Sequence, residues 1–161
     1  MLAQGVQALI VPPSHGTAIH AMGDTAVSKI TSAQTKGAML VTEYTVSPGG
    51  GPPLHVHDRE DELFWVLEGE VWFAAADKRE RATPGTLVYG PRGIPHTFRN
   101  RSNRSARMLV IVTPGENFER FFTAIAAARS PEEAVARINE LAPIHGIRML
   151  GPSGLEAPEE T

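Results

Sequence analysis

The sequence predicts an all-β sandwich or barrel with two amphipathic helices behind it. Three observations carry this reading. Short apolar runs rich in β-branched and aromatic residues recur at close, fairly regular spacing up to Thr113. Most of the 15 glycines and 13 prolines fall between those runs, as turn residues do. After Pro114 the apolar residues change to helical spacing.

Residues 1–23 carry little signal beyond a short strand over Val6–Val11, stopped by Pro12-Pro13. A weak strand follows over Thr25–Thr31 and a clearer one over Met39–Val46. The segment Ser47-Pro48-Gly49-Gly50-Gly51-Pro52-Pro53 suits neither a central strand nor a helix interior, and reads as a loop into His55. Glu62–Leu67 is a strong strand, Glu68-Gly69-Glu70 a tight turn, and Val71–Ala76 its hairpin partner. Asp77–Arg81 reads as a polar turn, and strands over Thr86–Tyr89, Ile94–Arg99 and Arg107–Thr113 complete the set. Antiparallel packing fits this pattern better than βαβ units do.

Beyond Pro114, Phe118, Phe121, Phe122 and Ile125 share one helical face. They are expected to pack on the sheet, with a ligand pocket as the sharper alternative. Ser130-Pro131-Glu132-Glu133 starts a second helix: Ser130 caps, Pro131 suits the first turn, and Glu133 can close a capping box. Ala134, Val135, Ile138, Leu141 and Ala142 form its apolar stripe, and Pro143 and Gly146 end it. The organisation expected is one domain: a barrel with N-terminal strands over 1–113 and a helical extension over 114–161 packed on it, ending in a polar, acidic tail.

There are no cysteines, which excludes disulfides, thiolate metal sites and a cysteine nucleophile. A net charge of −3 gives no global pull toward nucleic acid or acidic membrane. No apolar run approaches the roughly 18 residues of a membrane span, and Met1–Val11 lacks the basic start of a signal peptide. The expectation is a cytoplasmic protein.

Chemistry concentrates in four residues. His55 and His57 are two apart, so a strand projects both imidazoles from one face. Glu62 opens the next strand, across Asp58-Arg59-Glu60-Asp61, and His96 lies in the next good strand but one. A closing barrel brings the four together. Neutral imidazole and carboxylate suit first-row divalent ions (Fe, Mn, Co, Ni, Cu or Zn) and leave about two octahedral positions open for water, substrate or dioxygen. Phe64 and Val66 share parity with Glu62, and Phe98 with His96, so these three are candidates for a substrate pocket, with barrel filling as the plainer role. Trp65 and Leu67 face the other way. His15, His20 and His145 match no motif. Asp58–Asp61 reads as a solvated loop at the mouth, and Arg99, Arg101, Arg104 and Arg107 as a solvated hairpin rather than a nucleic-acid surface.

Gly49-x5-His55-x-His57-x4-Glu62-x6-Gly69 resembles the first cupin motif, and Gly85-x5-Pro91-x-Gly93-x2-His96-x3-Asn100 the second, with all ten fixed positions in place. The resemblance is tight over residues 49–100 and weaker from Met39 to Thr113. It implies a double-stranded β-helix, or jelly roll. Within it Gly69, Gly85, Pro91, Gly93 and Asn100 are fold determinants, while His55, His57, Glu62 and His96 bind the metal. The chain further resembles small single-domain cupins akin to bacterial quercetin 2,3-dioxygenase, through Phe118-Glu119-Arg120-Phe121-Phe122 and Gly146-Ile147-x-x-Leu150-Gly151-Pro152. That implies a metal-dependent dioxygenase acting on a flavonol or other small enolic or phenolic compound, with Glu62 as ligand and base as its second candidate role. The alternatives are a cupin isomerase acting on a sugar or keto acid, and a non-catalytic metal-dependent binding or sensing module. The resemblance also implies a homodimer, with no nucleic-acid or membrane partner.

Overall fold

The computed structural model describes residues 7–156. Eleven strands make two antiparallel sheets among these residues. In chain order, β1 (Thr17–Ala21), β2 (Asp24–Ile30) and β3 (Leu40–Val46) precede β4 (Leu54–His57) and β5 (Asp61–Glu68). Then come β6 (Val71–Ala75), β7 (Lys78–Ala82), β8 (Leu87–Gly90), β9 (His96–Arg99) and β10 (Ala106–Thr113). Two helices follow, α1 (Glu116–Ala126) and α2 (Pro131–Leu141), and β11 (Ile147–Gly151) closes the fold. One sheet runs β1-β2-β3-β10-β5-β8 and the other β11-β4-β9-β6-β7. Strands far apart in sequence therefore pair, the jelly-roll arrangement that the fold class implied.

The core lies between the sheets. In β5, Glu62, Phe64 and Val66 are buried while Trp65 and Leu67 are exposed, the alternation of a strand with one wet face. Phe73 and Phe98 from the facing sheet meet Phe64 at ring separations of 5.3 and 5.7 Å. Val46, Val66, Ala106 and Val112 are wholly buried beside them. Gly69 and Gly85, at the turns after β5 and before β8, take positive φ of 74° and 92°, which L side chains adopt at a cost. Asn100 donates to the carbonyls of Val46 (3.0 Å) and Arg104 (2.7 Å) and accepts from the Ser102 amide (2.9 Å), so it organises the turn after β9.

Four expectations need correction. Asp77–Arg81 is not a polar turn: Lys78–Ala82 is β7, paired with β6, and the turn is confined to Ala76-Asp77. Its side chains are charged because β7 is an edge strand, where exposed charge is tolerated. Of the strand expected over Val6–Val11, Val6 lies outside the described residues, and Gln7–Val11 is not a strand. Thr17–Ala21 is a strand, formed by pairing with β2 despite weak intrinsic signal. The region after Pro114 is not helical alone, since β11 returns to pair with β4.

Both helices form where expected. Ser130 Oγ accepts from the Glu133 amide at 3.2 Å. The Glu133 carboxylate takes the Arg129 amide (2.9 Å) rather than that of Ser130, so the reciprocal half of the capping box is displaced by one residue. Phe121 and Ile125 of α1 and Ala134 of α2 are buried with Ala142 and Ile147 in a second apolar cluster against the sheet.

Candidate metal centre

The four ligand candidates meet between the two sheets. His55 and His57 come from β4 and His96 from β9, where His55 and His96 are directly opposed in the ladder. Glu62 reaches across from β5 in the facing sheet. One potential ligand atom from each lies within 4.8 Å of the others, and all four side chains are buried. His96 Nε2 sits 2.7 Å and His57 Nε2 3.5 Å from Glu62 Oε2. Gly90, opposite Glu62 in the ladder, makes the approach possible: a Cβ there would stand 3.2 Å from His96 Nδ1.

Each imidazole is oriented from behind. His55 Nδ1 lies 2.8 Å from the Pro53 carbonyl, and His96 Nδ1 3.0 Å from that of Ile94. His57 Nδ1 lies 3.3 Å from Glu60 Oε2. A carbonyl can only accept, so Nδ1 of His55 carries the proton and its Nε2 presents a lone pair to the cluster, whereas both ring nitrogens of His96 face acceptors, the Ile94 carbonyl and, at 2.7 Å, Glu62 Oε2. His57 Nε2 is buried and takes no hydrogen bond. A buried nitrogen without a partner is costly unless something fills the gap. Three imidazole nitrogens and one carboxylate oxygen fit a divalent transition ion.

The electrostatics agree. Burial and the neighbouring His57 and His96 lower the His55 imidazole to about 4, so it is neutral at pH 7. Burial alone would raise Glu62, but His57, His96 and His55 outweigh it and hold the carboxyl at about 2. Burial opposes charge on His57 as well, yet Glu62 and Glu60 raise its pKa.

A cavity of about 140 Å³ opens beside the cluster. His55, His57 and Glu62 lie in its wall with Tyr44, Phe64, Phe98, Phe118, Phe121, Phe122 and Met149. Of the three pocket candidates, Phe64 and Phe98 line it. Val66 does not: one turn of the pleat further along β5, it is sealed in the core. Phe118, Phe121 and Phe122 wall the cavity as well as packing on the sheet, and the Phe118 ring stands 5.5 Å from that of His57. The polar groups in the wall besides the ligands are Asp24, Thr42 and Tyr44, and no lysine or arginine lines it. Tyr44 Oη donates to Asp24 Oδ2 at 3.3 Å. Burial raises both groups, with Asp24 adding to the rise on Tyr44.

Several functional neighbours were not legible. Asp24 and Tyr44 come together through the pairing of β2 with β3, for which no motif stands in the sequence. Glu60, read as part of a solvated loop, is wholly buried behind His57, because its chain turns inward at the β4–β5 connection. Asp58, by contrast, is exposed, and Asp61 is held at the surface by Arg92 (2.9 Å). Arg107 pairs with Glu43 and Glu68, and Arg101 stacks over Trp72, so neither belongs to a free basic surface. No helix among the described residues is long and apolar enough to cross a membrane.

Comparison with known proteins agrees with this architecture. A germin-like protein 1-1 of Oryza sativa subsp. japonica is 35% identical over 68 residues, 39% of this chain; the match spans only 32% of the relative's length. Among solved structures, the polyketide cyclase RemF of Streptomyces resistomycificus superposes with a TM-score of 0.57 at 29% identity, over 67% of this chain and 80% of that one. KdgF from a Halomonas species gives 0.62 at 12% identity, over 70% of this chain and 99% of that one, a likeness of fold. Residues 42–112 match the Cupin domain family, and the four ligand candidates, the β4–β9 ladder and the Gly69 and Gly85 turns all lie within that match.

Proposed function

We propose that this protein is a metal-dependent enzyme acting on a flat enolic or phenolic compound, in the manner of a dioxygenase. The observation that carries the reading is the wall of the cavity beside Glu62: it is aromatic and apolar and has no cationic side chain. A sugar phosphate brings, away from the metal, a dianionic group that needs a cation when buried, and the wall has no lysine or arginine to meet it. A planar ring meets Phe64, Phe98, Phe118 and Phe122 by edge or face contact. A cavity of about 140 Å³ compares with the roughly 150 Å³ that takes benzene. One ring of a substrate fits inside, with the remainder at the rim formed by Met22, Pro52 and Pro53.

A bound divalent ion would supply Lewis acidity and open positions for a substrate oxygen and dioxygen. His55, His57, Glu62 and His96 would hold it. The residues of the chain do the rest. The aromatic wall orients the ring and keeps water from it. Glu62, ionised at neutral pH, can accept a hydrogen bond from a substrate hydroxyl brought within reach and so orient it at the metal. Tyr44, kept protonated and anchored on Asp24, offers a hydroxyl to a polar substituent.

A second reading shares the substrate class but not the oxidant: ring closure or isomerisation of an aromatic enol, favoured by the likeness to a polyketide cyclase. Metal-loaded protein mixed with a panel of flavonols and open-chain phenolic β-diketones under air separates the two. Dioxygen uptake with loss of the flavonol band supports the oxygenase. Conversion at the same rate under argon supports ring closure. Binding without turnover of any phenol or enol leaves a sensing module and sinks both.

A further inference from the structure

The three histidines are not held alike. His55 and His96 are backed by neutral main-chain carbonyls, whereas His57 is backed by a carboxylate. That carboxylate, Glu60, is 0% exposed and meets no lysine or arginine: the nearby Arg59 guanidinium goes to Asn117 Oδ1 instead, at 3.3 Å. Its second oxygen accepts from Asn117 Nδ2 at 2.5 Å. Asn117 lies in the first turn of α1. Its amide also donates to the His145 carbonyl at 2.8 Å, and its oxygen lies 3.0 Å from His145 Nδ1. His145 sits in the turn between α2 and β11. An unbroken chain, His57–Glu60–Asn117–His145, thus joins the β4–β5 loop to the start of α1 and to the turn that follows α2.

Burying a carboxylate whose one facing cation can only be a histidine is expensive, and packing alone would be served by glutamine or leucine. Accepting from the far nitrogen of a ligating histidine fixes the ring's tautomer and orientation and strengthens its donor nitrogen. We infer that Glu60 is a positioning residue of the metal centre, and that Asn117 makes ion affinity depend on the docked C-terminal helices. The inference rests on the metal-centre reading of His55, His57, Glu62 and His96. Glu60 touches no reacting atom; it acts through His57.

The test uses the full chain, stripped with a chelator and titrated with zinc against a chromophoric competitor. Glu60→Gln is expected to weaken zinc binding by about 10–100-fold while the circular dichroism spectrum is retained. Glu60→Asp should recover part of the loss. Asn117→Leu should weaken binding by a smaller factor in the same direction. The absorption bands of the cobalt(II) form should shift in Glu60→Gln. In the metal-free wild type at alkaline pH, 15N spectra of His57 should show the Nδ1–H tautomer, giving way to a mixture in Glu60→Gln. Zinc affinity within twofold of wild type together with an unchanged cobalt spectrum overturns the inference, as does an Nε2–H tautomer in the wild type. Should Glu60→Gln not fold, Asn117→Leu decides alone: unchanged affinity overturns the link to the helices. A wild-type chain that binds neither ion overturns the metal centre itself, and the inference with it.

Discussion

At the scale of single residues, the site is built from the direction of hydrogen bonds as much as from proximity. Acceptors behind Nδ1 of all three histidines turn Nε2 inward. His57→Ala removes the most buried of these nitrogens, and the purified variant should lose metal that the wild type carries near stoichiometry; unchanged content by mass spectrometry sinks the assignment. The metal-free protein should also show a characteristic pH dependence. His55, lowered from 6.5 to about 4, contributes stability above about pH 6.5 that is lost as pH falls to about 4, since only the unfolded chain binds the proton there. Glu62, lowered from 4.5 to about 2, contributes above about pH 4.5 and loses that contribution toward pH 2. His57, raised above 6.5, acts oppositely: its contribution is full below pH 6.5 and is lost as pH rises through its folded value. The melting temperature of the stripped protein should therefore peak near pH 6.5. A flat profile between pH 5 and 8 contradicts this arrangement. Bound metal competes with the same protons, so acid should also release it.

At the scale of elements, β4 is the central piece. It holds two ligands, opposes β9 on one side and β11 on the other, with Ile147 across from His57 and Met149 across from His55. The last strand of the chain thus braces two of the ligands. Helix α1 contributes the wall: Phe118 stacks on Phe122 at 5.8 Å and faces His57. Phe118→Ala should cost about 2–3 kcal/mol, below the roughly 3–5 kcal/mol of a fully buried aromatic because the ring is only half buried. It should raise KM for an aromatic substrate more than it lowers kcat; an unchanged KM would place substrate elsewhere. Helix α2 stands farther from the site. Ser130→Ala should cost about 1 kcal/mol through loss of the cap, read as a fall of a few degrees in Tm with zinc affinity unaltered. Equal losses in both would mean that α2 reaches the ligands directly.

At the scale of the molecule, two sheets close on each other and leave one outer face poorly covered. Trp65 and Leu87 lie opposite each other on β5 and β8 at 51% and 59% exposure, and Tyr89 beside them is 56% exposed. β8 is also the free edge of its sheet. An apolar face next to an unpaired edge is a surface that monomers seldom leave bare. We propose that a second copy of the chain covers it in a homodimer. Light scattering should give twice the chain mass, and Trp65→Glu with Leu87→Glu should halve it. A monomeric wild type at micromolar concentration removes the proposal.

The sequence by itself determined most strands, both helices and which four residues cluster as candidate ligands. Strand parity aims His55 with His57, and Glu62 with Phe64, whatever surrounds them, and the Ser130-Pro131 start specifies α2 by local chemistry alone. Tertiary structure decided what depends on contacts between distant segments. It made Thr17–Ala21 and Lys78–Ala82 strands, because pairing supplied what propensity did not. It sent Val66 into the core and α1 to the pocket wall, and paired β11 with β4. It buried Glu60 from within an acidic run that composition marks as wet. Periodicity and capping act within a few residues and can be read along the chain. Burial and second-layer hydrogen bonds depend on which surfaces meet, and that is set only when the barrel closes and the helices dock.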